Sequence, residues 1–144
     1  MIRHTEHRGP AAAGPPGTLL LGVGGDPRQA ARARAEGADL IDVRAATPGA
    51  LAAIQASLPA AVLWTGPPGD PLDADRLAAA AAPDLAAGRD GQAPAAVVAK
   101  AAVCTWLGAP VIRSRHTRAV RRAIDMTTSI AGRRPPSRTI RGLA

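Results

Sequence analysis

Four short runs in this chain are almost wholly apolar rather than alternating: "TLLLGV" (18–23), "ADLIDV" (38–43), "AAVLW" (60–64) and "PVIR" (110–113). A strand that is apolar on both sides must be covered on both faces, which is the pattern of parallel sheets flanked by helices. Helix-forming stretches separate the runs. Asp26 and Pro27 open "PRQAARARAEG", which Gly37 closes. Thr47 and Pro48 open "TPGALAAIQAS" (47–57), and "GPPGDP" is a turn leading into "LDADRLAAAAA" (72–82). The run "AAVVAKAAVCTWLG" (95–108) ends at Gly108. The last helix spans 116–131, with Val120, Ala123, Ile124, Thr127 and Ala131 forming its inward stripe and Gly132 ending it. A fifth, very short strand is conceivable around Asp84–Ala86. Strands alternating with helices give right-handed βαβ units. A complete eight-stranded barrel takes about 250 residues, so 144 residues predict an α/β fold with a truncated TIM-barrel-like parallel sheet of four or five βα units.

The sheet occupies 18–132, between a Pro/Gly-rich leader (1–17) and a basic tail (133–144), both expected to be disordered. The leader loosely mimics a secretion signal, but Pro10, Pro15 and Pro16 interrupt its apolar part. Together with the lack of any run near ~20 apolar residues, this argues for a cytoplasmic domain without a membrane span. Hydrophobic residues make up 47% of the chain, yet Phe and Tyr are absent and alanine supplies much of the total. Each helix therefore buries little area, at ~25 cal/mol per Å², and the domain is expected to gain from a partner. The single cysteine, Cys104, excludes an internal disulfide, suits a reducing compartment, and reads as a small core residue.

Charge is concentrated at one end. From Arg113 onward there are nine arginines against Asp125 alone, whereas the preceding residues are close to neutral. That distribution suits an anion site followed by a basic tail. Nucleic-acid binding through the arginine-rich end is the less favoured alternative, because few aromatics are available for stacking and no helix-turn-helix or zinc pattern is present.

In parallel α/β folds, ligands gather beyond the C-terminal ends of the strands. After the first strand, "GVGGD" lacks the third glycine of a dinucleotide fingerprint, because Pro27 stands there. At the second strand end, Asp42 can accept hydrogen bonds from a polar heterocycle, or be neutralised by a nearby arginine such as Arg44. After the third, Trp64 offers a stacking wall or core packing, and Thr65 a hydroxyl. After the last, "RSRHT" sets Arg113, Arg115 and His116 where a strand hands over to a helix. Guanidinium groups beside free helix amides suit phosphate; a solvated cationic face is the other reading. His4, His7 and His116 lack partners at metal spacing, and Asp73 and Asp75 read as helix-capping charges. Neither a metal nor a cofactor is expected.

Three segments carry a family resemblance. "AEGADLIDV" (35–43) resembles the second-strand segment of dihydropteroate synthases, and "RAATPG" keeps Thr47, Pro48 and Gly49 of the loop that follows. "GAPVIRSRHTRAVRRAIDM" is similar to that family's last strand and helix with its Arg-x-His-Asp-Val signature. Thr18 to Pro27 fits the first strand loosely. The resemblance implies a pterin-binding barrel of folate biosynthesis, a transferase joining a dihydropterin methyl pyrophosphate to p-aminobenzoate. Arg113 would then hold the substrate phosphate, Asp42 would face the pterin, and Arg115, His116 and Thr65 would line the site. Arg115 stands where the family has histidine, and His116 where it has aspartate. The first-loop motif, the third-strand aspartate and the fourth-strand Asn-Asp pair are missing, and Lys100 lies mid-helix rather than at the substrate position. These departures imply impaired catalysis. The alternative is a non-catalytic interaction protein that pairs with a full-length synthase or with itself.

Overall fold

The computed structural model describes residues 17–66, 70–81 and 95–133. Within them the elements run β1 (Leu19–Val23), α1 (Pro27–Ala35), β2 (Leu40–Asp42), α2 (Pro48–Ser57), β3 (Val62–Trp64), β4 (Leu72–Asp73), α3 (Ala74–Ala81), α4 (Ala95–Trp106), β5 (Val111–Ser114) and α5 (Thr117–Ile130). The five strands form one all-parallel sheet in the order β3-β2-β1-β5-β4. The four expected strands are present. The fifth, however, is Leu72–Asp73, inside the stretch read as the start of a helix. The alternative position near 84–86 lies outside the described residues, as do the expected leader and tail apart from Gly17 and Arg133. Arg133 is held: its guanidinium donates to the Thr105 and Trp106 carbonyls at 3.0 and 2.9 Å, closing the C-terminus of α4.

The local signals act as their chemistry requires. Asp26 accepts from the Arg28 and Gln29 amides, and Thr47 from the Ala50 amide, so α1 and α2 are side-chain capped ahead of Pro27 and Pro48. Gly37 leaves α1 with φ at +99°, a conformation that costs other residues strain.

Register shows where the helices lie. Residues paired across parallel strands point to the same face, and neighbours along a strand to opposite faces. Leu20 pairs with Ile112, while Gly22 pairs with Ile41 and Ser114, so these share one face. Leu20 and Ile112 pack with Ala74, Val97, Ala101, Val120 and Ile124 from α3, α4 and α5. Ile41 packs with Ala30, Ala33 and Ile54 from α1 and α2. Both core clusters therefore cover the same side of the sheet. The steps β1 to β2 to β3 and β4 to β5 run in one direction, and right-handed crossovers then place every helix on one face. The opposite face carries Leu21, Val23, Asp42, Trp64, Asp73 and Arg113.

On α5, Val120, Ala123 and Ile124 are buried as expected, but Thr128 and Thr117 complete the stripe in place of Thr127 and Ala131. Cys104 is partly buried against the core.

Candidate functional site

The C-terminal ends of three strands meet on the helix-free face. β5 carries Arg113 one residue before its end, while β2 ends with Asp42 and β4 with Asp73. The Arg113 guanidinium donates from Nε to Asp42 Oδ2 at 2.7 Å and from Nη1 to Asp73 Oδ2 at 2.8 Å. Asp42, 4% exposed, also takes a forked pair from Arg44, Nε to Oδ1 at 3.0 Å and Nη2 to Oδ2 at 2.9 Å, plus the Arg44 amide at 3.1 Å. A paired arginine was one of the two readings of Asp42, and here two arginines share it. Bidentate guanidinium–carboxylate geometry of this kind is the strong form of the ion pair.

Electrostatics follow from this geometry. Burial pushes the Asp42 carboxyl up, but the hydrogen bonds from Arg44 and Arg113 outweigh it and hold the pKa at about 2, below the ordinary 3.8. Burial likewise opposes the charge on Arg113, and the Asp42 and Asp73 carboxylates more than restore it. A carboxylate lowered in the fold stabilises the native state above its unfolded pKa and loses that contribution as it protonates. Chain stability is therefore expected to be flat with respect to Asp42 above about pH 4 and to fall between about pH 4 and pH 2. Acid unfolding followed by circular dichroism checks this, and the Asp42→Asn variant should lose that part of the slope.

A second carboxylate organises the strand-to-helix turn. Asp75 accepts from Ser114 Oγ at 2.7 Å and from the Arg115 amide at 2.8 Å, and Ser114 Oγ in turn accepts from the His116 amide at 3.0 Å. The aspartates read as caps thus do more. Asp73 caps α3 with one oxygen, accepting from the Arg76 amide, and binds Arg113 with the other, while Asp75 ties α3 to the β5–α5 turn. His116 stands at the N-cap of α5, but no side chain caps that helix. The Arg115 side chain is 74% exposed and lies 3.9 Å from Asp75. Thr65 is exposed just past β3. The structure therefore joins Asp42 with Arg113 and sets Arg115 and His116 on the adjoining turn, with Thr65 beyond the far strand. Trp64 pairs in register with Asp42 on the same face, its indole Nε1 buried without a hydrogen-bond partner among the described residues.

Among the described residues no group of three or more His, Cys, Asp or Glu side chains is placed to hold a metal, and no helix is long and apolar enough to cross a membrane. Comparison of the chain with protein-family models, curated proteins and solved structures finds no match.

Proposed function

We propose that this chain is a shortened, dihydropteroate-synthase-like domain that binds a phosphate-bearing small molecule of the pterin pyrophosphate type without carrying out the family's transfer reaction. The observation that carries the reading is the pairing of β5 with β1, which brings Arg113 to the strand ends on the helix-free face. In a closed eight-stranded barrel the last strand lies against the first, and the helices form an outer ring around an inner face. The order β3-β2-β1-β5-β4 is what remains when such a barrel keeps its last two and first three strands. The segments resembling the family's first, second and last strands are β1, β2 and β5, and they are neighbours here. Impaired catalysis is supported at Asp42, whose two oxygens are both occupied by arginines and offer a pterin ring little. A cytoplasmic setting belongs to the same proposal.

Calorimetry with dihydropterin pyrophosphate, hydroxymethyl-dihydropterin and pyrophosphate tests it. Heat is expected with the pyrophosphate-bearing pterin, weakened about tenfold by Arg113→Lys, which keeps the charge but loses the planar fork. Folded chain giving no heat with any of the three ends the reading.

A second reading, self-association or pairing with a full-length relative, is favoured by the sheet edges. Among the described residues β3 and β4 each have one unpaired side, and Val62 and Leu72 on them are 55% and 43% exposed. Open edges of this kind invite strand addition. A strictly monomeric chain in light scattering removes this second reading.

A further inference from the structure

The C-terminal parts of α4 and α5 expose apolar side chains that the core does not use. Val103 and Trp106 on α4, with Leu107 just past its end, stand at i, i+3 and i+4, and Met126 and Ile130 on α5 at i and i+4, so each group shares a face. All five are between 54% and 78% exposed. The two groups are neighbours. α4 and α5 share a core through Val97, Ala101, Val120 and Ile124, and Arg133, just beyond α5, is bonded to the Thr105 and Trp106 carbonyls at the end of α4. α4 leads into the start of β5 and α5 returns from its end. Both helices therefore finish at the amino-terminal edge of the sheet, opposite Arg113.

Cations rim this patch. Arg118 and Arg122 are exposed on α5 and precede Met126 and Ile130 at intervals of four residues, so charge passes into apolar surface along one slowly turning face. Arg133 is exposed as well. Residues 95–133 hold one acid, Asp125, and Arg121 takes it at 2.7 Å. The chain continues past Arg133 with Arg134, Arg138 and Arg141 and no acid. Contiguous apolar surface with a polar rim marks an interface, and the charge says of which kind. A second copy would set one arginine rim against another, and like charges facing each other across an interface are unfavourable. A peptide helix needs a groove to bury its anchors, whereas these side chains protrude. A bilayer needs no groove. Its interface suits the ring of a tryptophan, its anionic headgroups attract arginines, and the apolar stems of those arginines can lie along the buried surface.

We infer that this end of the molecule docks peripherally on an anionic lipid surface. Trp106, Leu107, Met126 and Ile130 enter the headgroup region, while Arg118, Arg122 and Arg133 meet the lipid charges. No described helix is long and apolar enough to cross the bilayer, so this contact stays at its surface. Docking by this end turns the Arg113 cluster, at the opposite edge of the sheet, away from the lipid, and the inference does not rest on what that cluster binds.

The test is flotation of the full chain on a density gradient with vesicles of equal parts phosphatidylserine and phosphatidylcholine, beside vesicles of phosphatidylcholine alone. The chain is expected to float with the first and not with the second, and to be released as salt screens the arginines. Trp106→Ala should weaken partitioning about tenfold and Arg122→Gln about fivefold, and Leu107→Glu should abolish it. All three positions are exposed, so these variants leave the core intact. A parent chain that floats with neither vesicle overturns the inference. Flotation unchanged in both Leu107→Glu and Trp106→Ala also overturns it, because the attraction would then be charge alone. Light scattering covers the other occupant: a parent dimer that Leu107→Glu dissociates would assign the patch to a second copy and overturn the lipid contact. Flotation lost in Leu107→Glu with pterin pyrophosphate heat retained separates this surface from the proposed function.

Discussion

Arg113→Leu is expected to cost about 3 kcal/mol of folding stability, because breaking a buried pair by removing one partner strands the other charge. Asp42 would remain 4% exposed with Arg44 as its sole cation, and Asp73 would lose its link to β5. Arg44, whose side chain is 38% exposed, cannot neutralise Asp42 from the Arg113 side, though its forked contact keeps the loss at the lower end of the range for such changes. Asp42→Leu should also destabilise, since it takes an acceptor from both arginines. The pair Asp42→Leu/Arg113→Leu should cost less than the two single changes together, because the buried Asp42 charge is no longer left without Arg113, nor Arg113 without Asp42. Residues in direct contact typically couple by about 0.5–3 kcal/mol. Urea unfolding of the four chains measures this coupling; strict additivity would mean that the Asp42–Arg113 contact does not organise the sheet.

Gly22→Ala should be nearly as damaging, through sterics alone. A Cβ at Gly22 would lie 2.8 Å from Ala33 Cβ and 3.0 Å from Ala38 Cβ. Those methyls are fixed to backbone, so relief requires α1 and the start of β2 to move away from β1. Overpacking of this kind costs about 1–3 kcal/mol, and the upper end applies because no neighbour can rotate aside. Gly49→Ala is the control: nothing lies within 4 Å of its added methyl, and in a helix alanine is better than glycine by about 1 kcal/mol. Urea midpoints moving in opposite directions are the expected outcome; equal midpoints for Gly22→Ala and the parent chain would refute the close approach. The alanine-rich composition gains a positive reading here. Ala30, Ala33 and Ala38 are small enough to let α1 lie directly on β1, where larger side chains would hold it off.

The sequence made the sheet's layout legible because β1, β2, β3 and β5 are each continuous apolar runs between recognisable caps. β4 escaped notice because two residues carry no periodicity, and the same "LDAD" that forms it is also a strong helix start. The candidate site was half legible. Arg113 and Asp42 stand out as charged residues at apolar strand ends, and neutralisation of Asp42 by a neighbouring arginine is one of its two sequence readings, whereas Arg113 reads as an anion holder rather than as that partner. Asp73 and Asp75 were hidden because a carboxylate at a helix start is fully explained by capping. Only the fold, which brings residues 40 apart within 2.8 Å, reveals that each has a second contact.

Among the described residues β1 precedes the other strands in the chain and lies at the centre of the sheet, with β2 on one side and β5 on the other. The Thr18 hydroxyl donates to the Ala109 carbonyl across 91 residues of chain. While the ribosome is still adding the residues between them, β1 has only one neighbour and its other edge stands open. Central pairing waits for the arrival of Val111–Ser114, so folding is completed late, by closure of a long loop, and slowly for a domain of this size. Until then the nascent chain shows an apolar edge that other strands can take, which makes synthesis, rather than the finished fold, the stage at which it is most exposed to aggregation.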